Sequence, residues 1–443
     1  MAAEKTLRGH PPGLAILSAT ELAERFSYYG MTALLALYMV KQLLLPGHAE
    51  NVVGLAALRH LFEFRGPMAD QAFASLIYGW YGGLVYFTPI LGGWIADRFI
   101  GTKRAVTIGA LLMAAGHLAM SSDATFLLAL LLLIAGSGFL KGNISAQVGA
   151  LYPPESESLR ERGFTIFSTG INIGAVAGPL VTGAVAAIYG WHAGFALAAG
   201  LMLVALAIYL AGQRYLPSGA PQATKTTDSS PLTSDEKKRV WWILLLILLI
   251  VPAAISYTMI WNVGIVWIDE KVSLGPVPAS WFNSVDSFAS ILIAPVLVGL
   301  WASQARRNVE PGALTKVIVG FAMTGVSALF FVAGSLLAGP DGKVSVLWAL
   351  AGYLGMGFAF MWYWPVLLAM VSKAAPPKIN STLVSASFLS LFVGTVLMGW
   401  IGSFYLEMSN AAFWTLDAAI ALGGAILIFL VRRPVTKALN LCD

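Results

Sequence analysis

Apolar runs recur along nearly the whole chain, each close to the roughly 20 residues that an α-helix needs to cross about 30 Å of hydrocarbon, and polar connections separate them. The pattern predicts twelve membrane helices, over residues 14–45, 71–96, 103–121, 125–149, 163–188, 191–213, 240–268, 277–303, 313–338, 344–372, 379–406 and 411–431. The one long polar connection, 214–239, runs from Pro217, Ser218 and Gly219 to Ser234, Asp235, Glu236, Lys237 and Lys238. It reads as a linker. The expected fold is therefore an all-α integral membrane protein of two six-helix halves, 1–213 and 240–443, joined by 214–239, as in many secondary transporters. The first run is longer and more charged than a signal-peptide core and has no small-residue cleavage site, so it reads as a retained span.

Composition strengthens this picture. Of 443 residues, 58% are apolar and only 11% charged, with a mean hydropathy of +0.77, which leaves too little polar surface for a protein bathed in water. The lone Cys442, at the extreme end, excludes an internal disulfide and a thiolate metal centre. A basic excess, 27 Lys+Arg against 22 Asp+Glu, invites a nucleic-acid reading that position overrules. With both termini cytoplasmic, the inner connections hold 20 positive residues, Lys5, Arg8, Lys225 and Lys316 among them, and the outer ones only five: Lys41, Arg59, Arg65, Lys271 and Lys343. That asymmetry orients a multi-pass protein in its membrane, here expected to be a bacterial inner membrane, with lipid rather than nucleic acid as its charged partner.

Five ionisable residues remain at membrane depth: Glu21, Glu24 and Arg25 in the first helix, Lys141 in the fourth and Asp286 in the eighth. Each costs roughly 2.5–3.5 kcal/mol to insert, so each implies a purpose. At about 100° per residue, Glu21, Glu24, Arg25, Tyr28, Tyr29 and Thr32 share one face of the first helix. Two acids beside one arginine leave a negative charge for which Lys141 is the natural partner, and protonating a glutamate then frees the lysine. A static ion network that fixes helix packing is the alternative.

The 2–3 connection, GGWIADRFIGTKR, resembles the loop signature of the major facilitator superfamily. Asp97 would lie near helix N-termini, Arg98, Lys103 and Arg104 would face the anionic leaflet, and Gly93 and Gly101 would permit close approach and a tight turn. ELAERFSYYG (Glu21 to Gly30), LVYFTPILGGWIADR, GFLKGNIS around Lys141, FSTGINIGA around Asn172 and VPASWFNSVDSF together resemble the proton-dependent oligopeptide transporters of that superfamily. The resemblance covers the N-terminal half and part of the C-terminal half. It implies proton symport of di- and tripeptides by alternating access, with protons as coupling ion, no other cofactor, and a single copy sufficient. It also implies that Glu21, Glu24, Arg25 and Lys141 couple the proton, and that Tyr28, Tyr29, Tyr86, Lys141, Asn172 and Trp400 line the peptide site.

The chain departs from the family pattern at three places. Thr32 stands where a second arginine is usual, GFAFMWYWP (Gly357 to Pro365) lacks the glutamate of the tenth helix, and MIWNVG carries Asn262 where acidic or glutamine residues are frequent. Asp286, in place of a usual asparagine, would supply the missing negative charge, either to the peptide ammonium or as another proton site. It is expected to be the only deep acid of the C-terminal half, with Ser284 or Ser287 as the hydrogen-bonding alternative. Because both terminal-charge contacts deviate, nitrate, a modified peptide, a drug-like amphiphile or a peptidic metal chelator is the competing cargo. An intramembrane enzyme is disfavoured: neither HExxH nor GxSxG occurs, and His117 stands alone in the third helix. A non-transporting peptide sensor is a third reading.

Overall fold

A computed structural model describes residues 9–64, 66–153, 155–217, 219, 231–339 and 342–440. Lys5, Arg8, Arg65, Lys225, Cys442 and the linker residues 218 and 220–230 lie outside these. The apolar runs fold into helices: α1 (Pro12–Tyr38), α2 (Asp70–Ile95), α3 (Thr102–Ala119), α4 (Phe126–Ala150), α5 (Glu157–Tyr189), α6 (Trp191–Gly212), α7 (Ser234–Met259, continued by a π turn, Ile260–Gly264, into Ile265–Lys271), α8 (Phe282–Arg306), α9 (Ala313–Leu336), α10 (Val346–Ala374), α11 (Phe388–Gly402, after a short helix Asn380–Ala386) and α12 (Asn410–Leu439). Among the described residues, nine helical segments are long and apolar enough to cross a membrane by length and composition. The helices α1, α2 and α3 complete the set that the pattern predicts. No strand occurs among the described residues, only the isolated bridge Val272–Val344. Backbone groups in hydrocarbon must be hydrogen-bonded, and continuous apolar runs of about 20 residues achieve this within one segment as helices.

Local chemistry sets several helix ends. Thr233 and Glu236 form a capping box at the start of α7: the Glu236 amide donates to Thr233 Oγ1 at 3.2 Å and the Thr233 amide to Glu236 Oε2 at 2.8 Å. Ser345 and Ser409 cap α10 and α12 through their hydroxyls.

The chain divides into two compact units, Met1–Asp70 with Leu84–Lys225, and Gln71–Gly83 with Thr226–Asp443. In this division the first half of α2, Gln71–Gly83, groups with the C-terminal helices. The reason is close packing on α11. Ser75 Oγ donates to the Gly399 carbonyl at 3.0 Å, and a Cβ at Gly79 would lie 2.7 Å from Gly399 Cα. Within the first unit α1 packs between α5 and α6, and α3 packs on α4 and α6. Within the second, α9 packs on α10 and α12, α7 on α11 and α12, and α8 on α10.

In the 2–3 connection, Gly101 has φ +79°, a conformation that favours glycine and makes the turn expected there. Close approach falls one residue away from the expected Gly93, which has open space around it. A Cβ at Gly92 would meet the Gly138 carbonyl oxygen of α4 at 2.0 Å. Asp97, Arg98 and Arg104 are exposed and Lys103 half-buried, with no ion pair to Asp97 among the described residues.

Candidate functional site

The site begins with how α1 meets α5. A Cβ at Gly174 would lie 2.7 Å from Arg25 Cβ and 2.8 Å from the Leu22 carbonyl oxygen, so a residue without a side chain lets the helices touch at the turn bearing the charges. That contact buries Glu21 (4% exposed), Glu24 (0%) and Arg25 (6%) together. Arg25 Nε lies 3.0 Å from Glu21 Oε1 and also pairs with Glu24 Oε2. Each acid thus commits one oxygen to the guanidinium. Glu21 Oε2 and both oxygens of Glu24 are buried without a hydrogen-bond partner among the described residues, so Glu24 Oε2 is held by charge and Oε1 by nothing. Buried polar groups are normally satisfied, so uncommitted carboxylate oxygens beside a fixed cation are groups able to take a proton.

Lys141, half-buried on α4, comes to this cluster differently from expectation. Its ammonium forms no ion pair among the described residues; Nζ instead stands 4.1 Å from the centre of the Tyr28 ring and 6.0 Å from that of Tyr86. A half-buried contact of this kind is worth about 1 kcal/mol, and it leaves the charge available to an anion. Arg25 Cζ lies 5.5 Å from the same Tyr28 ring, and Tyr28 meets Tyr29 edge to face at 5.3 Å. One ring therefore touches both cations. Thr32, expected on this face, turns back to donate to the carbonyl of Tyr28 at 3.0 Å.

Asn172 and Trp400 are not drawn into the cluster. Asn172 is exposed, on the side of α5 opposite Gly170 and Gly174, which press on α1. Trp400, in the other unit, is 49% exposed and packs edge to face on Phe404 at 5.2 Å.

Asp286 is fully buried in α8, where Tyr257 Oη of α7, a partner the sequence reading did not name, donates to its Oδ2 at 2.9 Å. Its Oδ1 has no hydrogen-bond partner among the described residues. Tyr257 stacks on Phe360 at 4.6 Å, and a Cβ at Gly357 would lie 2.2 Å from the Asp286 carbonyl oxygen. The acid of α8 therefore sits directly against GFAFMWYWP, the stretch of α10 that lacks one. Asn262 donates to Ser75 Oγ at 2.7 Å and is held within its own unit.

Two polar features escaped the sequence reading. Asp417 of α12 is 1% exposed, and neither carboxylate oxygen has a hydrogen-bond partner among the described residues, so Asp286 is not the sole deep acid of the C-terminal half. A lone acid in the run 411–431 was the available signal. Asp123, between α3 and α4, accepts from Tyr38 and lies 2.6 Å from His48 Nδ1 and 2.9 Å from His192 Nε2. Its partners come from distant parts of the chain, and no spacing announces them. His117 is fully buried with no hydrogen bond among the described residues, which makes it a packing residue.

Known proteins resemble this chain along nearly its whole length. The di-/tripeptide transporter of Lactococcus lactis subsp. cremoris is 27% identical over 514 aligned positions, covering 99% of this chain and 98% of the relative. The peptide transporter YePEPT of Yersinia enterocolitica subsp. palearctica is 26% identical across 98% of this chain and 96% of its own. The crystal structure of a variant of the peptide transporter POT in complex with alafosfalin matches with a TM-score of 0.84 at 26% identity, covering 98% of this chain and 97% of that one. The POT family model matches residues 103–230 and 222–416. With most of its length matched by that model and its helices following a solved transporter of the same kind, this multi-pass membrane protein belongs to the POT family.

Proposed function

We propose that the chain is a proton-coupled symporter that imports di- and tripeptides across the bacterial inner membrane by alternating access, with both termini cytoplasmic and protons as its only coupling ion. One observation carries the coupling: two buried glutamates share a single arginine, each with an uncommitted oxygen, while Lys141 rests on a tyrosine ring with no carboxylate bound to it among the described residues. Charge bookkeeping shows the consequence. Glu21, Glu24, Arg25 and Lys141 sum to zero with both acids ionised, and to one positive charge after a single protonation. The peptide carboxylate neutralises that charge at Lys141. Proton and peptide then enter together because either alone leaves a charge uncompensated at membrane depth.

Arg25 stays paired throughout, since protonation of one glutamate leaves it bound to the other. Tyr28, Tyr29 and Tyr86 offer ring area to variable side chains and hydroxyls to the common peptide backbone. Asp286, against the acid-free stretch of α10, serves the peptide ammonium or a second proton.

The test is uptake of labelled dialanine into liposomes under an imposed pH gradient, inside alkaline. Wild-type protein accumulates dialanine. The pair Glu21→Gln and Glu24→Gln abolishes accumulation while retaining exchange of preloaded peptide. Accumulation by the double variant refutes the coupling, and failure of dialanine and trialanine to compete for uptake assigns the protein another cargo.

A further inference from the structure

We propose that the second unit holds the phosphate group of an anionic phospholipid in a cavity between α8, α9 and α10, a site that goes beyond the transport reading and stands whatever the cargo. The cavity has a volume of about 550 Å³, within the ~300–1,000 Å³ usual for small-molecule sites. Its polar side is built from Lys316, Lys373, Glu310, Trp301 and the N-terminus of α9.

Lys316 is the unusual member. The charge pattern places it among the cations of a connection, yet it stands in the first turn of α9 at 8% exposure, its Nζ 4.2 Å from the centre of the Trp301 ring and paired with Glu310. Lys373, at the end of α10, also lines the cavity, is exposed, and has no ion pair among the described residues. Two lysines and one glutamate leave one positive charge, which matches a phosphodiester monoanion. The start of α9 adds donors. Its N-cap, Gly312, has no side chain to cap with, and no acid stands in the first turn. The first helical bond runs from the Lys316 amide to the Gly312 carbonyl at 3.1 Å, so the amides before it have no helical acceptor. Such an end attracts anions. The Trp301 Nε1–H is buried and has no acceptor among the described residues.

The remaining wall decides between a lipid and a free ion. From Pro365 to Met370 the α10 side is apolar, with Val366 and Ala369 between. A free phosphate would gain nothing from that surface, whereas glycerol and acyl chains would cover it. Basic pockets between membrane helices on an anionic leaflet bind lipid head groups by this combination.

Native mass spectrometry of the full-length protein tests the assignment, with phosphatidylglycerol, phosphatidylcholine and inorganic phosphate as separate probes. One phosphatidylglycerol is retained per chain, about tenfold more tightly than phosphatidylcholine. Lys373→Gln weakens it about fivefold, while Lys437→Gln, a surface change on α12, does not. Gly312→Asp supplies the missing cap and so preserves or raises the melting temperature, yet it weakens the lipid by a similar factor, which separates lost binding from misfolding. Equal retention of the two lipids, or equal effects of Lys373→Gln and Lys437→Gln, overturns the site. Displacement of phosphatidylglycerol by millimolar inorganic phosphate overturns the lipid assignment in favour of a free anion.

Discussion

Replacing Gly174 with alanine places one methyl group between α5 and the charged turn of α1. The new Cβ lies 2.7 Å from Arg25 Cβ and 2.8 Å from both the Leu22 carbonyl oxygen and the Phe26 amide nitrogen. Two of those three neighbours are backbone, so a rotamer change cannot relieve the contact. Restoring ordinary contact moves α1 by about 0.7 Å, the difference between 2.7 Å and 3.4 Å. Overpacking of this size costs about 1–3 kcal/mol, against which alanine returns up to about 1 kcal/mol of helix propensity. With the full return, the net loss is up to about 2 kcal/mol, a fall of up to about 8 °C in melting temperature for a unit of this size. The displaced group is Arg25, so uptake suffers beyond stability, by about tenfold or more. Differential scanning fluorimetry in detergent and dialanine uptake in liposomes read the two effects. Gly93→Ala is the matched control, because nothing lies within 4 Å of its Cβ position, and it leaves both readings unchanged or slightly improved. Wild-type stability and uptake in Gly174→Ala, or equal losses in the two variants, would show that this helix contact does not set the geometry of the cluster.

Other variants probe the remaining polar groups. Asp286→Asn abolishes proton-driven uptake or sharply weakens peptide binding, and Tyr257→Phe, which removes only the hydroxyl that donates to Asp286, weakens it about tenfold or more; wild-type kinetics in both variants exclude Asp286 from the site. Asp123→Asn leaves Tyr38, His48 and His192 with a weaker acceptor and lowers stability by about 1.5–3 kcal/mol, read as a fall in melting temperature, with the largest part lost already in Tyr38→Phe if the buried hydroxyl dominates. An unchanged melting temperature in Asp123→Asn shows that the cluster holds nothing together.

The membrane fold, the helix count and the charged face of α1 were fixed by sequence alone, because insertion into hydrocarbon acts on local composition. A run of apolar residues can satisfy its backbone only as a helix, and each charge inside it stands out by its cost. Glu21, Glu24 and Arg25 were legible for the same reason: they lie within two turns of one helix, where 3.6 residues per turn dictates which side chains meet. Pairings between helices obey no such rule. Lys141 resting on Tyr28, Tyr257 holding Asp286, the association of Gln71–Gly83 with α11, where Gly79 meets Gly399, and the meeting of Asp123 with His48 and His192 each depend on which surfaces touch. That choice turns on contacts of a few tenths of an ångström between residues far apart in the chain, and only packing in three dimensions makes it.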